Sequence, residues 1–235
     1  MKAIYDFHEG RYGYRRMTDA LRKLGERINH KTVQRLMGEL GLKSLVKIKK
    51  YVSYKGEVGR VAPNILKRRF KTKRTHHKLV TDITEFELAG RKLYLSPVMD
   101  LNNGEIIAYE TARRPVYEMV DKMLTAVLAK LKPGDRPILH SDQGWHYQMG
   151  TYRQKLKDNQ ITQSMSRKGN CHDNAPMESF FGILKSEFFH LKKFSNLEEL
   201  EAGLAKYIHY YNHDRIKLKL GGLTPVQYRI QAAGK

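Results

Sequence analysis

Apolar residues recur along this chain with two different periods. Between residues 11 and 42 the spacing is helical. Residues 16–25 (RMTDALRKLG) form a short amphipathic stretch that Gly25 can end. Residues 29–41 (NHKTVQRLMGELG) open on Asn29 as an N-cap, carry Val33, Leu36, Met37 and Leu40 on one stripe, and stop at Gly41. From residue 79 the period drops to two. Segments 79–87, 92–99 and 104–110 are rich in β-branched and aromatic residues, with Gly90 and Asn102–Asn103–Gly104 between them, and Asn103–Gly104 is a strong hairpin signal. A helix follows at about 116–131, with Val116, Val120, Leu124, Val127, Leu128 and Leu131 on its face, broken by Pro133–Gly134. The strand PILHS comes next, then a helix near 147–157 and a short strand at 160–164.

A three-strand meander followed by alternating helix and strand is the order of an RNase H-like fold. It predicts an α/β core: a mixed five-stranded sheet flanked by helices. The expected organisation is a helix-turn-helix-like module at 1–42, a basic linker at 43–78, and a core with a helical tail at 79–235. In the first module Lys31, Thr32, Gln34 and Arg35 fall off the apolar stripe, where a recognition helix would meet DNA. A plain packing or dimerisation module is the competing reading.

Composition sharpens this picture. The 235 residues carry a formal net charge of +20, and residues 43–78 hold thirteen Lys/Arg against Glu57 alone. That +12 segment includes Lys47, Lys49, Lys50, Tyr51 and Tyr54, then Lys67, Arg68, Arg69, Phe70, Lys71, Lys73 and Arg74. Basic residues mixed with aromatics suit a strap that follows a DNA backbone and orders on it. No apolar run reaches the ~18 residues of a membrane span, and the N-terminus lacks a secretory apolar core. The single cysteine, Cys171, excludes an intrachain disulfide and any zinc site needing two cysteines. His76 and His77 therefore read as solvated or phosphate-facing. A cytoplasmic, nucleoid-associated bacterial protein is expected.

Three carboxylates stand out against this basic background: Asp82 in TDITEF, Asp142 in HSDQGWHY and Glu178 in GNCHDNAPMESFFGILKSE. Alternation puts Asp82 on one face with Val80, Thr84 and Phe86, an unusual place for an unpartnered charge. Asp142 follows a short apolar strand. Glu178 starts a helix that Asp173 or Asn174 can cap, with Gly182 one turn on leaving room beside it. Three hard oxygen ligands suit two Mg²⁺ ions (Mn²⁺ substituting), with Asp82 bridging and Asp142 and Glu178 each completing one. His140 and His146 read as hydrogen-bonding loop residues. Trp145 can stack on a flipped base or close the rim of the core.

The segments HSDQGWHY and SRKGNCHDNAPMESFFGILKSE, with the tail YNHDRIKLKLGGLTPVQYR, resemble the OrfB-type transposases of bacterial insertion sequences. These belong to the DDE superfamily that includes retroviral integrases. The tail matches at Tyr211, Asn212, Arg215, Leu223, Thr224 and Pro225. The resemblance implies metal-dependent 3′-end cleavage and strand transfer at element ends, with Asp82, Asp142 and Glu178 as catalytic metal ligands and Lys185 touching DNA near the scissile phosphate. It also implies self-association on paired ends and a possible upstream helix-turn-helix and zipper partner or fusion. The competing functions are a silent DNA-binding regulator of transposition and a structure-selective nuclease of the same fold.

Overall fold

The computed structural model of the protein describes residues 1–46 and 61–234. Residues 47–60 of the basic segment, with Lys47, Lys49, Lys50, Tyr51 and Tyr54, lie outside the described residues. Two compact units emerge.

The first unit gathers the N-terminal helices, Ile183–Lys193 and Ala205–Lys235. Its opening helices are α1 (Lys2–Phe7), α2 (Tyr14–Lys23) and α3 (His30–Glu39), one more than the apolar period suggested. Met17 and Leu21 of α2 close a small core against Val33 and Met37 of α3. Asn29 caps α3 by accepting from the Lys31 N–H at 2.9 Å. Leu40 is 58% exposed, so the apolar stripe of α3 ends a turn earlier than predicted. The C-terminal segment belongs to this same unit. Tyr12 donates to the Asp214 carbonyl and accepts from the Ile216 N–H. The last helix (Pro225–Ala233) starts with a capping box between Thr224 and Gln227.

The second unit is a twisted mixed sheet with helices. Its strands are β1 (Lys78–Thr81), β2 (Thr84–Leu88), β3 (Arg91–Asp100), β4 (Ile106–Ala112), β5 (Ile138–Ser141) and β6 (Thr162–Met165). Long β3 pairs antiparallel with β4 on one edge and with both β1 and β2 on the other. The pairs Leu79↔Asp100 and Thr84↔Leu95 keep one register, so β1 and β2 are a single strand interrupted at Asp82–Ile83. The six strands thus occupy the five positions expected. β1, β5 and β6 are parallel, as crossover connections require. Gly104, at φ 71°, lets the β3–β4 hairpin close where a β-carbon would be strained.

Helix α4 (Tyr117–Leu128) buries Val120, Met123, Leu124 and Val127 against Leu79, Val98 and Leu139 of the sheet. The helix predicted at 147–157 is two pieces, α5 (Trp145–Gln148) and α6 (Gly150–Asp158), because Met149 takes an extended ψ. Residues 61–78 are not a free linker. Leu66 is buried, the Ile65 N–H donates to Ser164 on β6, and the Met165 N–H donates to the Pro63 carbonyl. The His77 ring bonds Thr72, and the His76 ring is 16% exposed with its Nδ1 3.7 Å from Asp135, so neither is the solvated side chain expected. Among the described residues no helix is long and apolar enough to cross a membrane.

Candidate active site

Strand register builds the first half of the site. β1 and β5 pair in parallel with Val80 beside His140, and two residues further on stand Asp82 and Asp142. Neighbouring strands run about 4.8 Å apart, so both aspartates leave the carboxyl end of the sheet side by side. Each has one oxygen held by the backbone. Asp82 Oδ1 accepts the Ile83 N–H at 2.8 Å, and Asp142 Oδ1 accepts the Gly144 N–H at 2.9 Å. Their second oxygens accept nothing from a described residue.

Glu178 arrives on α7 (Ala175–Leu184), which Met177, Phe180, Phe181 and Leu184 sink into the protein. A β-carbon added at Gly182 would meet nothing within 4 Å, so space stays open one turn beyond Glu178. The expected caps do other work. Asp173 is bound by arginines, and the Asn174 amide donates to the Thr81 carbonyl at 3.1 Å, just before Asp82.

Electrostatics joins the three acids. All are half-buried, and none forms an ion pair with a described residue. Burial pushes Asp82 well above the usual carboxylate range, the Asp142 charge adds to this, the Ile83 N–H opposes it, and Glu178 adds again. Burial also raises Asp142 and Glu178. Three acids raised by burial, with Asp82 raised further by the charges of the other two, make a field that a divalent ion would relieve. The donor set is all oxygen, which fits Mg²⁺ or Mn²⁺ rather than zinc. Among the described residues no three His, Cys, Asp or Glu side chains close on a common point, so the acids do not form a finished cage.

The surroundings sort the remaining candidates. His140 is fully buried between Ser164 and Ser166 and is held neutral by burial, its pKa lowered to about 4. His146 bonds the Pro115 carbonyl at 2.8 Å. Trp145 is 50% exposed and stacks on His146, so it does not close the core. Lys185 is half-buried and opens a π turn, Lys185–Phe189, directly after α7. Lys31, Gln34 and Arg35 are exposed on α3 with Thr32 half-buried; Lys67, Arg68, Arg69 and Lys71 are exposed on the strap. The first group lies in the unit of the N-terminal helices, the second in the unit of the carboxylates. Sequence reasoning missed the arginine partners of Asp173 and the role of Glu187, a buried acid in the same signature stretch.

Gly144 yields a direct prediction. A β-carbon there would sit 3.0 Å from Asp142 Oδ1 and 3.4 Å from the Tyr147 ring. Gly144→Ala should push the Asp142 carboxylate aside and slow any chemistry there by about 10–100-fold, in line with the cost of sub-ångström misplacement. Single-turnover kinetics would measure it, and a wild-type rate would show that Asp142 tolerates the shift.

A mixed sheet of this order, with acids at the carboxyl edge of two adjacent parallel strands and on a following helix, defines an integrase-type catalytic core. Family models agree: an integrase core domain matches residues 72–171, a second integrase core model 178–232, and an HTH-like domain 1–50. Solved structures share the fold. A simian T-cell lymphotropic virus intasome matches with TM-score 0.54 at 16% identity, covering 92% of this chain and 69% of that one. The HTLV-2 integrase catalytic core, solved in complex with magnesium, matches with TM-score 0.50 at 16% identity, covering 65% and 95%. An Escherichia coli K12 protein named as transposase InsK of IS150 is 58% identical over 97% of this chain and 81% of its own length. Transposase InsF of IS3A, from the same organism, is 34% identical over 96% and 79%. The chain belongs to the insertion-sequence transposases typified by those of IS150 and IS3.

Proposed function

We propose that this transposase cleaves the 3′ ends of its element and joins them to target DNA, using Asp82, Asp142 and Glu178 to hold two Mg²⁺ ions, with Mn²⁺ able to substitute. The observation that carries the reading is the register-paired Asp82 and Asp142, each with one oxygen free of donors among the described residues, in the field of Glu178. When bound, such a metal pair stabilises the attacking and leaving oxygens of an in-line displacement at phosphorus. The chain's own share is positional. Backbone N–H groups of Ile83 and Gly144 fix the aspartates, and the buried face of α7 fixes Glu178. Helix α3 reads element ends through Lys31, Thr32, Gln34 and Arg35. The strap residues Lys67, Arg68, Arg69 and Lys71, together with Lys185, hold backbone phosphates. Copies assemble on paired ends, with an upstream helix-turn-helix and zipper protein as a further partner.

The test uses duplexes ending in the element's inverted repeat. Mg²⁺ and Mn²⁺ should support cleavage and joining, and Ca²⁺ should permit binding with little chemistry. Full activity in excess chelator would sink the metal assignment. Alanine at Lys31, Thr32, Gln34 and Arg35 should cost about 1–3 kcal/mol of discrimination per lost base contact while sparing non-specific binding. Footprints on matched and scrambled ends would read this. Equal loss on both would leave α3 as a packing helix that only grips backbone.

A further inference from the structure

Asp173 precedes Glu178 by five residues, and its side chain has no solvent exposure. It accepts five hydrogen bonds: from Asn64 at 2.8 Å, Arg68 Nε at 2.9 Å, and the Arg167 N–H, Nε and Nη2 at 3.1, 2.9 and 3.0 Å. These donors hold its carboxyl well below the usual range. Both arginines remain open to solvent, with Arg68 46% and Arg167 60% exposed. A guanidinium carries five N–H donors in a rigid fork, so one edge can serve a carboxylate while another meets a phosphate. Two arginines on one carboxylate leave a net positive face, flanked by Lys67, Arg69 and Lys168.

The next residue faces the chemistry. Asn174 is buried, donates to the Thr81 carbonyl beside Asp82, and leaves its Oδ1 without a partner among the described residues. Helix α7, with Glu178 on its first turn, begins at the following residue. One dipeptide therefore ties the basic strap, the loop after β6, the strand of Asp82 and the helix of Glu178.

We propose that Asp173 and Asn174 are positioning residues that form a latch: Arg68 and Arg167 grip a backbone phosphate of the DNA, and the latch sets that strand in register with Asp82 and Glu178. This rests on the transposase chemistry proposed above. It makes the arginines part of catalysis by placement, beyond the affinity that their charge supplies.

The full chain is assayed with a duplex ending in the inverted repeat. Wild type, Asp173→Asn and Arg167→Gln are compared for DNA affinity across salt, cleavage rate at saturating DNA, and Tm. Asp173→Asn removes a negative charge from a basic face, so charge alone predicts tighter binding and an unchanged saturated rate. The latch instead predicts binding no weaker than wild type and, at a temperature where the variant is still folded by circular dichroism, a saturated rate lower by about 100-fold. Arg167→Gln should lower the slope of log K against log salt by about 1 and also reduce the saturated rate. A wild-type saturated rate for Asp173→Asn, or a loss that merely tracks unfolding, overturns the proposal. If Asp173→Asn does not fold, Arg167→Gln decides: a changed slope with an unchanged rate, or no change in either, overturns the latch. Asp82→Asn is the control for the reading beneath it. Equal activity in that variant and wild type would remove the catalytic assignment itself, whatever Asp173 does.

Discussion

Asp82→Asn, Asp142→Asn and Glu178→Gln should each lower cleavage and strand transfer by at least about 1,000-fold, because on the proposed assignment several kcal/mol of transition-state stabilisation depend on metal held by these acids. A second readout separates this from damage to the fold. Without metal the three acids are raised by burial, and Asp82 also by the charges of Asp142 and Glu178. Their ionised forms therefore oppose one another in the folded chain. Neutralising Asp82 removes that opposition, so the metal-free Tm should hold or rise. Wild type should gain Tm on adding Mg²⁺, since a ligand bound only by the folded state stabilises it. The variants should lose most of that gain. Near wild-type strand transfer from any one of them would take that residue out of the site.

The parts of the fold built on short-range pattern were legible in the sequence. Period-two alternation found β3, β4 and the strand through Asp82, and placed that acid among apolar neighbours. Asn29, Gly25 and Gly41 marked helix ends through their own chemistry. Local pattern fails where the partner is remote. Nothing near Asp173 announces Arg68, which lies 105 residues earlier. Alternation also reads straight through Asp82–Ile83, where the strand breaks while its register continues. A break that costs no register leaves no trace in a hydrophobic pattern. The grouping of the C-terminal tail with the N-terminal helices depends on contacts such as Tyr12 to Ile216, 204 residues apart, which neither composition nor spacing encodes. Arg215 was visible as a motif residue, but its structural purpose required Glu187, which it binds through Nε and Nη2.

Loss of Glu187 should be the most destabilising single change in the unit that holds the N-terminal helices. Its carboxylate accepts Arg215 Nε and Nη2 at 2.7 Å each, Arg16 at 3.1 Å and Tyr207 at 3.0 Å, while its carbonyl accepts Arg11 Nε at 2.9 Å. Glu187 and Arg215 are 3% and 2% exposed. Burial alone would raise the Glu187 pKa, but Arg215, Arg16 and Tyr207 outweigh it and hold the carboxyl below its ordinary value. The pair is therefore ionised inside the protein. Removing one member strands the other charge, at a cost of about 3–5 kcal/mol. Against a typical total stability of about 5–15 kcal/mol, that is a large share. Glu187→Ala and Arg215→Ala should each lower the urea midpoint accordingly. Glu187→Leu combined with Arg215→Leu should cost less than the two single losses added together, because neither charge is left unpaired. Trp145 is the only tryptophan and belongs to the other unit, so its fluorescence reports unfolding there while circular dichroism reports the helices of both. The Glu187→Ala transition should shift in circular dichroism. Single changes that cost under about 1 kcal/mol would place this cluster among weak surface pairs and remove Glu187 as the key to its unit.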